Sequence, residues 1–167
     1  MGKASIELSG KKSTTSLNDI QFHNANVLVV EDNQQNQIVM QQFLQLCGCR
    51  VILADHGVEA LKKLQTEQID IVLMDIQMPV MDGLTTTRHI RASTLAFQQV
   101  PIIAVTADAV YGDKEKYLSA GMNDYLSKPI FRNELYALLD KHMPIEKKKS
   151  RITSKITRLN NMQNLIN

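Results

Sequence analysis

The chain has 167 residues, 44% of them hydrophobic and 22% charged, which fits one globular domain with tails and a core that needs no structural disulfide or metal. No run approaches the ~18 consecutive apolar residues of a membrane span, and no apolar signal region opens the chain. The net charge of +2 hides an asymmetry: residues 25–144 carry 10 Lys/Arg against 14 Asp/Glu, net −4, whereas residues 145–167 carry six basic residues and one acidic, net +5.

Residues 1–24 are rich in Ser, Thr, Lys and Asn with little periodicity, and read as a flexible linker or lead-in. Met1-Gly2 is no myristoylation signal, because Ile6 stands where Ser or Thr is required. From Asn26 the pattern changes. Val27-Leu28-Val29-Val30, ending at Glu31-Asp32, suits a strand buried on both faces of a parallel sheet. Val39, Phe43, Leu46 and Cys47 then fall at helical spacing, and Gly48 closes the helix as a C-cap glycine. Cys47 and Cys49 form neither a zinc half-site nor a thioredoxin-type pair and read as buried reduced thiols.

The alternation repeats. Arg50 to Ala54 predicts a strand and Val58 to Gln65 a helix. Ile69 to Asp75 predicts a strand, and Gly83 to Thr94 a helix with Leu84, Ile90 and Leu95 on its apolar side. Pro101 opens the strand Ile102 to Thr106, and Tyr111 to Ala120 predicts a helix stopped by Gly121. Asp124 to Ser127 is a short strand, Phe131 to His142 a helix, and Pro144 follows it. Five strands alternating with five helices predict an α/β fold with a parallel sheet covered on both faces. Such sheets bind ligands beyond the carboxyl ends of their strands.

Those ends carry Glu31-Asp32, Asp75, Thr106 and Lys128-Pro129. Carboxylates gathered in one small mouth repel each other, by about 4 kcal/mol for two charges ~4 Å apart at an effective dielectric near 20. Lys128 is one candidate compensator and a bound cation the other. Hard oxygen ligands suit Mg²⁺, with Mn²⁺ as a substitute, and no His or Cys joins them to favour Zn²⁺. An aspartate can act as a nucleophile toward phosphorus, and phosphoryl transfer needs positioning and charge neutralisation above all. Thr106 can donate to a phosphoryl oxygen, and Lys128 can pair with another.

The stretch Val27-Leu28-Val29-Val30-Glu31-Asp32-Asn33 resembles the opening acidic motif of two-component receiver domains. Asp75-Ile76-Gln77-Met78-Pro79-Val80-Met81-Asp82-Gly83 resembles their phosphoacceptor motif, and Thr106-Ala107 and Lys128-Pro129 match the two remaining signatures in order. The resemblance covers residues 25–144 as a receiver domain. It implies a doubly wound, flavodoxin-like five-stranded sheet of order 2-1-3-4-5 flanked by five helices. By position it implies Asp75 as phosphoacceptor and Glu31 and Asp32 as the acidic pair for Mg²⁺, Asp32 the more direct ligand. The Gln77 backbone carbonyl would complete the protein's share of the metal shell, while Thr106 and Lys128 would sense the phosphoryl group. Tyr125 would be the aromatic switch, the Lys128-Pro129 bond is a candidate cis peptide, and Gln77 and Asp108 sit where the family tunes loss of the phosphoryl group.

Asn36 and Val39, with the Met-Pro-Val-Met-Asp-Gly run, give the chain the style of receivers attached to hybrid sensor histidine kinases. The implied partners are a sensor histidine kinase and a histidine phosphotransfer domain. The implied setting is the cytoplasm, in a free protein or in the cytoplasmic part of a membrane-bound hybrid kinase. No kinase motif is present in this sequence, so it reads as an autocatalytic phosphoacceptor module rather than an enzyme.

An aspartyl-phosphate phosphatase is disfavoured because Gln77 replaces the second carboxylate of an Asp-x-Asp pair. A binding-only receiver would lack the Asp, Lys or acidic pair, all of which are present, and no P-loop or G-x-G-x-x-G follows the first strand. The basic segment 145–167 carries Ile152, Ile156, Leu159, Met162 and Ile166 at helical spacing, so an amphipathic helix stands beside a solvated tail as its reading. No direct DNA binding is expected of it, and a weak homodimer is one role for it.

Overall fold

In the computed structural model, which describes residues 20–108 and 113–148, strands and helices alternate along the chain. They are β1 (Ala25–Val30), α1 (Gln34–Leu46), β2 (Cys49–Ala54), α2 (Gly57–Thr66), β3 (Ile71–Asp75), α3 (Gly83–Ala92), β4 (Ile102–Thr106), α4 (Asp113–Ser119), β5 (Asp124–Ser127) and α5 (Arg132–His142). The strands form one parallel sheet of order β2-β1-β3-β4-β5, as the resemblance implies. Short 3₁₀ turns at Ala96–Gln99 and Ile145–Lys147 complete the described chain.

The apolar runs of the three central strands are continuous because both of their faces are buried. Val27 and Val29 of β1, Ile71 and Leu73 of β3, and Ile103 and Val105 of β4 join one cluster with Leu135 and Leu139 of α5. The alternate residues Leu28, Val30, Val72, Met74, Ile102 and Ala104 join the opposite cluster with Ala60, Leu64 and Ile90. A period of two is therefore present, hidden because inward and outward positions are equally apolar.

Helix α1 presents only part of the face its sequence suggests: Cys47 is buried and Phe43 packs against the core, but Val39 and Leu46 do not. Met40, Leu44 and Cys47 are buried, whereas Val39 and Leu46 are exposed (41% and 62%) and Ile38 with them. Positions 39, 43 and 46 and positions 40, 44 and 47 are adjacent stripes of one helix, about 100° apart, and both are apolar. The sheet takes the second stripe. Gly48 ends the helix at φ +84, a conformation that disfavours any side chain, and Gly121 ends α4 in the same way.

Helix α3 also departs from expectation. Leu95 lies beyond its end and is exposed, while Thr86 and Thr87 are fully buried. Each threonine hydroxyl donates to a carbonyl one turn back, Thr86 to Asp82 (2.7 Å) and Thr87 to Gly83 (2.8 Å). Their polarity is thus satisfied inside the helix, which lets both side chains be buried.

The folded body begins earlier than residue 25. Ile20 and Phe22, placed by sequence in the flexible lead-in, are buried in the α1–α5 cluster. The Phe22 N–H donates to the Cys47 carbonyl (2.8 Å) and the His23 N–H to the Lys147 carbonyl (2.7 Å). At the other boundary Lys147 pairs with Asp70 at 3.5 Å, so the first residues of the basic segment lie against the body. The apolar periodicity from Ile152 onward lies outside the described residues, as do Tyr111 and Gly112 of the predicted fourth helix.

The face assignment of α1 is testable by denaturant unfolding. Leu44→Ala is expected to cost about 2–5 kcal/mol, the range for truncating a buried leucine. Val39→Ala and Leu46→Ala are expected to stay within about 0.5 kcal/mol of wild type.

Candidate functional site

Strand pairing fixes which residues share the carboxyl edge of the sheet. Val30 lies level with Met74 and with Ala54, and Asp75 with Val105, so Glu31 and Asp75 leave the sheet side by side. On the far side the Lys128 N–H donates to the Thr106 carbonyl (2.7 Å), which sets Lys128 at the same edge. The Lys128–Pro129 bond is cis.

Four of the residues singled out by sequence converge there. Glu31, Asp32 and Asp75 offer carboxylate oxygens that all lie within 4.8 Å of one another. The Lys128 ammonium stands 2.8 Å from Glu31 Oε2 and 3.0 Å from Asp75 Oδ2. Three carboxylates and one ammonium leave two negative charges uncompensated, the charge of one divalent cation. Glu31 Oε2 is buried and has no aligned hydrogen bond despite its nearness to Lys128. A buried carboxylate oxygen with unused capacity, beside exposed Asp32, is a donor set that fits Mg²⁺ and its retained waters.

The loops hold these carboxylates in place. Glu31 Oε1 accepts from the Asn33 N–H (3.1 Å) and the Asn36 side-chain amide (3.2 Å), and Gln37 donates to the Glu31 carbonyl (2.6 Å). Asn33 also caps α1, accepting from the N–H groups of Gln35 and Asn36. Asp75 Oδ1 accepts from the Gln77 N–H at 3.1 Å. Gln77 thus meets Asp75 through its N–H, and its side-chain amide reaches Asp108 Oδ2 at 3.3 Å.

Behind Asp75 the chain makes two close turns. Asp82 caps α3 through the Thr85 N–H (2.7 Å), and a Cβ on Gly83 would lie 2.1 Å from the Asp75 carbonyl oxygen, so only glycine lets α3 start against the strand end. Val80, at φ +68, is the centre of a tight turn closed by the Met81 N–H on the Pro79 carbonyl (2.7 Å). A β-branched residue in that conformation is strained.

Burial raises the Asp75 carboxyl above the usual carboxylate range, and the Glu31 charge adds to the rise against the opposing pull of Lys128. Burial by itself would lower the Lys128 ammonium, but its close pairing with the carboxylates of Glu31 and Asp75 outweighs it and holds Lys128 above its ordinary value.

Thr106 and Tyr125 stand apart from this cluster. The Thr106 hydroxyl accepts from the Asp108 N–H (3.1 Å) and from the hydroxyl of Tyr117 on α4 (3.2 Å). Tyr125 is half-buried on β5, its ring centroid 6.4 Å from that of Tyr117. Sequence reading missed Tyr117. Its only signal was an aromatic at a helical position facing the end of β4.

With this geometry in view, similarity to known proteins is informative. Residues 27–140 match the family model for the response regulator receiver domain. The chain belongs to this family. It is 43% identical over 121 residues to hybrid signal transduction histidine kinase G of Dictyostelium discoideum, a match covering 71% of this chain and 4% of that protein. The chain thus spans only a small fraction of such curated relatives. Among solved structures it resembles the receiver domain of sensor histidine kinase PA1611 from Pseudomonas aeruginosa, with a magnesium ion coordinated in the active site cleft (TM-score 0.66, 44% identity, 72% of this chain and 98% of that one). It also matches a chain of the co-crystal structure of the Saccharomyces cerevisiae histidine phosphotransfer protein Ypd1 with the receiver domain of its downstream response regulator Ssk1 (TM-score 0.61, 35% identity, 72% and 88% covered). No helix among the described residues is long and apolar enough to cross a membrane.

The raised Asp75 carboxyl gives a stability test. Its folded value lies above the unfolded value of about 3.9, so the fold favours the neutral form. Its contribution is present at low pH and is lost as pH rises through the folded value, which leaves a destabilising charge at neutral pH. Asp75→Asn is therefore expected to raise the thermal midpoint by a few degrees at pH 7 without divalent metal. The gain should shrink as pH is lowered toward 4. An unchanged or lower midpoint at pH 7 would contradict this account of the site.

Proposed function

We propose that this receiver takes a phosphoryl group onto Asp75 from a phosphohistidine, with Mg²⁺ held by Glu31, Asp32, Asp75 and the Gln77 backbone carbonyl. The observation that carries the reading is the convergence of three carboxylates within 4.8 Å around one ammonium, with Lys128 already 3.0 Å from Asp75. An Asp75 oxygen attacks phosphorus, the P–O bond forms, and the P–N bond to the donor imidazole breaks. Lys128 is held charged and neutralises the phosphoryl oxygens as they arrive, while Thr106 donates to another of them. Bound Mg²⁺ supplies Lewis-acid neutralisation of the same oxygens and of the crowded carboxylates. Asn33 and Asn36 hold the Glu31 carboxylate at the mouth.

The donor in this reading is a histidine kinase, and a histidine phosphotransfer domain either supplies or receives the group. The exposed, uncharged surface in the first half of α1, with Ile38 and Val39, lies on the mouth side of the helix and suits such a partner. Similarity to receivers of hybrid kinases supports this setting, as does the magnesium ion in one solved relative and the phosphotransfer protein beside another.

Incubation with Mg²⁺ and acetyl phosphate, followed by intact mass spectrometry, tests the acceptor. Wild type is expected to gain one phosphoryl group, and to gain none in EDTA or as Asp75→Asn. Labelling that survives Asp75→Asn would assign the acceptor elsewhere. No labelling, either from this donor or from a phosphohistidine protein, would sink the proposal.

A further inference from the structure

The hydroxyl of Tyr117 lies on the buried side of the site and has no part in the scheme above. Tyr117 is 3% exposed and sits in the apolar cluster with Ile102, Ala104 and Met122. Its hydroxyl is 3.2 Å from Thr106 Oγ1 and 3.4 Å from the Asp108 carbonyl. One O–H cannot serve both well, and the hydroxyl of Thr106 is the nearer acceptor. Thr106 Oγ1 in turn accepts from Tyr117 and from the Asp108 N–H, and its own proton has only the Asp108 carbonyl, at 3.4 Å. The Thr106 hydroxyl is therefore held by its neighbours on the α4 side and makes no described contact with the side chains of Asp75 or Lys128.

We propose that the Tyr117 hydroxyl is the resting-state partner of Thr106 and competes with the phosphoryl group for it, which makes Tyr117 a positioning residue that sets how readily the acceptor site fills. This role rests on the reading of Asp75 as the phosphoryl site. When Thr106 turns toward a phosphoryl oxygen, Tyr117 is left with the long contact to the Asp108 carbonyl. A buried hydroxyl that loses its acceptor is costly. The ring cannot simply swing out, because it packs on Tyr125, and the Tyr117 carbonyl holds the N–H groups of Ala120 (3.2 Å) and Met122 (3.1 Å). The cost falls on α4 and on the Tyr125 side chain beside it. Occupancy at the mouth is converted into a displacement of that face by one lost hydrogen bond.

Tyr117→Phe keeps the ring and its packing and removes only the hydroxyl. The experiment measures the affinity for beryllofluoride, a phosphoryl mimic, by calorimetric titration in Mg²⁺. It uses wild type, Tyr117→Phe, Thr106→Ala and the double variant, each first shown to unfold cooperatively. Tyr117→Phe is expected to bind roughly three- to tenfold tighter, the range one neutral hydrogen bond covers. That gain is expected to vanish in the Thr106→Ala background, because the hydroxyl acts through Thr106. Hydrogen exchange supplies a second readout: beryllofluoride should speed exchange at Ala120 and Met122 in wild type and change it little in Tyr117→Phe. Unchanged or weaker binding by Tyr117→Phe, or a gain that persists without Thr106, overturns the role and leaves the acceptor assignment standing. A wild type that binds no beryllofluoride overturns both.

Discussion

One ammonium holds two buried carboxylates at the edge of the sheet, and much of the local structure serves that arrangement. Lys128 lies within 3.0 Å of both Glu31 and Asp75 and offsets the mutual repulsion of two carboxylates taken out of water. The three residues come from different strand ends, so their approach depends on the parallel register of β1, β3 and β4 and on the chain after β5. That register decides which side chains meet on each face, where two apolar clusters pack the sheet between helices. The site is thus held by the core as much as by its own hydrogen bonds.

The arrangement remains short of balance. Asp32 adds a third carboxylate, the Asp75 carboxyl is raised, and a Glu31 oxygen has no aligned partner. These features are costs in the isolated chain, and they are what makes the mouth receptive to a divalent cation and to a phosphoryl group that the lysine can grip. The strained turn at Val80 and the tight packing of Gly83 under Asp75 belong to the same pattern, in which backbone conformations disfavoured elsewhere cluster beside reactive groups.

The strand–helix alternation and the polar strand ends are readable from sequence because they rest on local rules: buried β-branched runs, helical apolar spacing and glycines at helix ends. The order of the strands and the metal ligand set came from resemblance instead. The α1 face is only half legible: Phe43 and Cys47 meet the core as expected, but the stripe of Met40 and Leu44 is as apolar as that of Val39 and Leu46, and only the sheet decides between them. Thr86 and Thr87 were passed over because their buried hydroxyls are satisfied within the helix, which composition does not reveal. Ile20 and Phe22 were assigned to a flexible segment although their i, i+2 spacing is that of an extended edge. Two residues are too few for periodicity to stand out, and the bonds that fix them come from Cys47 and Lys147, distant in sequence. Tyr117 was illegible for a similar reason: its meaning depends on the position of Thr106, eleven residues away, across a chain reversal.

Helix α1 contains no charged side chain in its thirteen residues; glutamines and aliphatics make up most of its exposed surface. It borders a mouth that is strongly acidic. A molecule approaching this edge of the domain therefore meets two surfaces that answer differently to salt. Contacts on α1 gain from excluding water and are nearly indifferent to ionic strength, whereas the potential of the mouth is screened over roughly 10 Å in 0.1 M salt. Electrolyte acts on how fast a charged partner arrives and leaves the grip on the helix largely untouched.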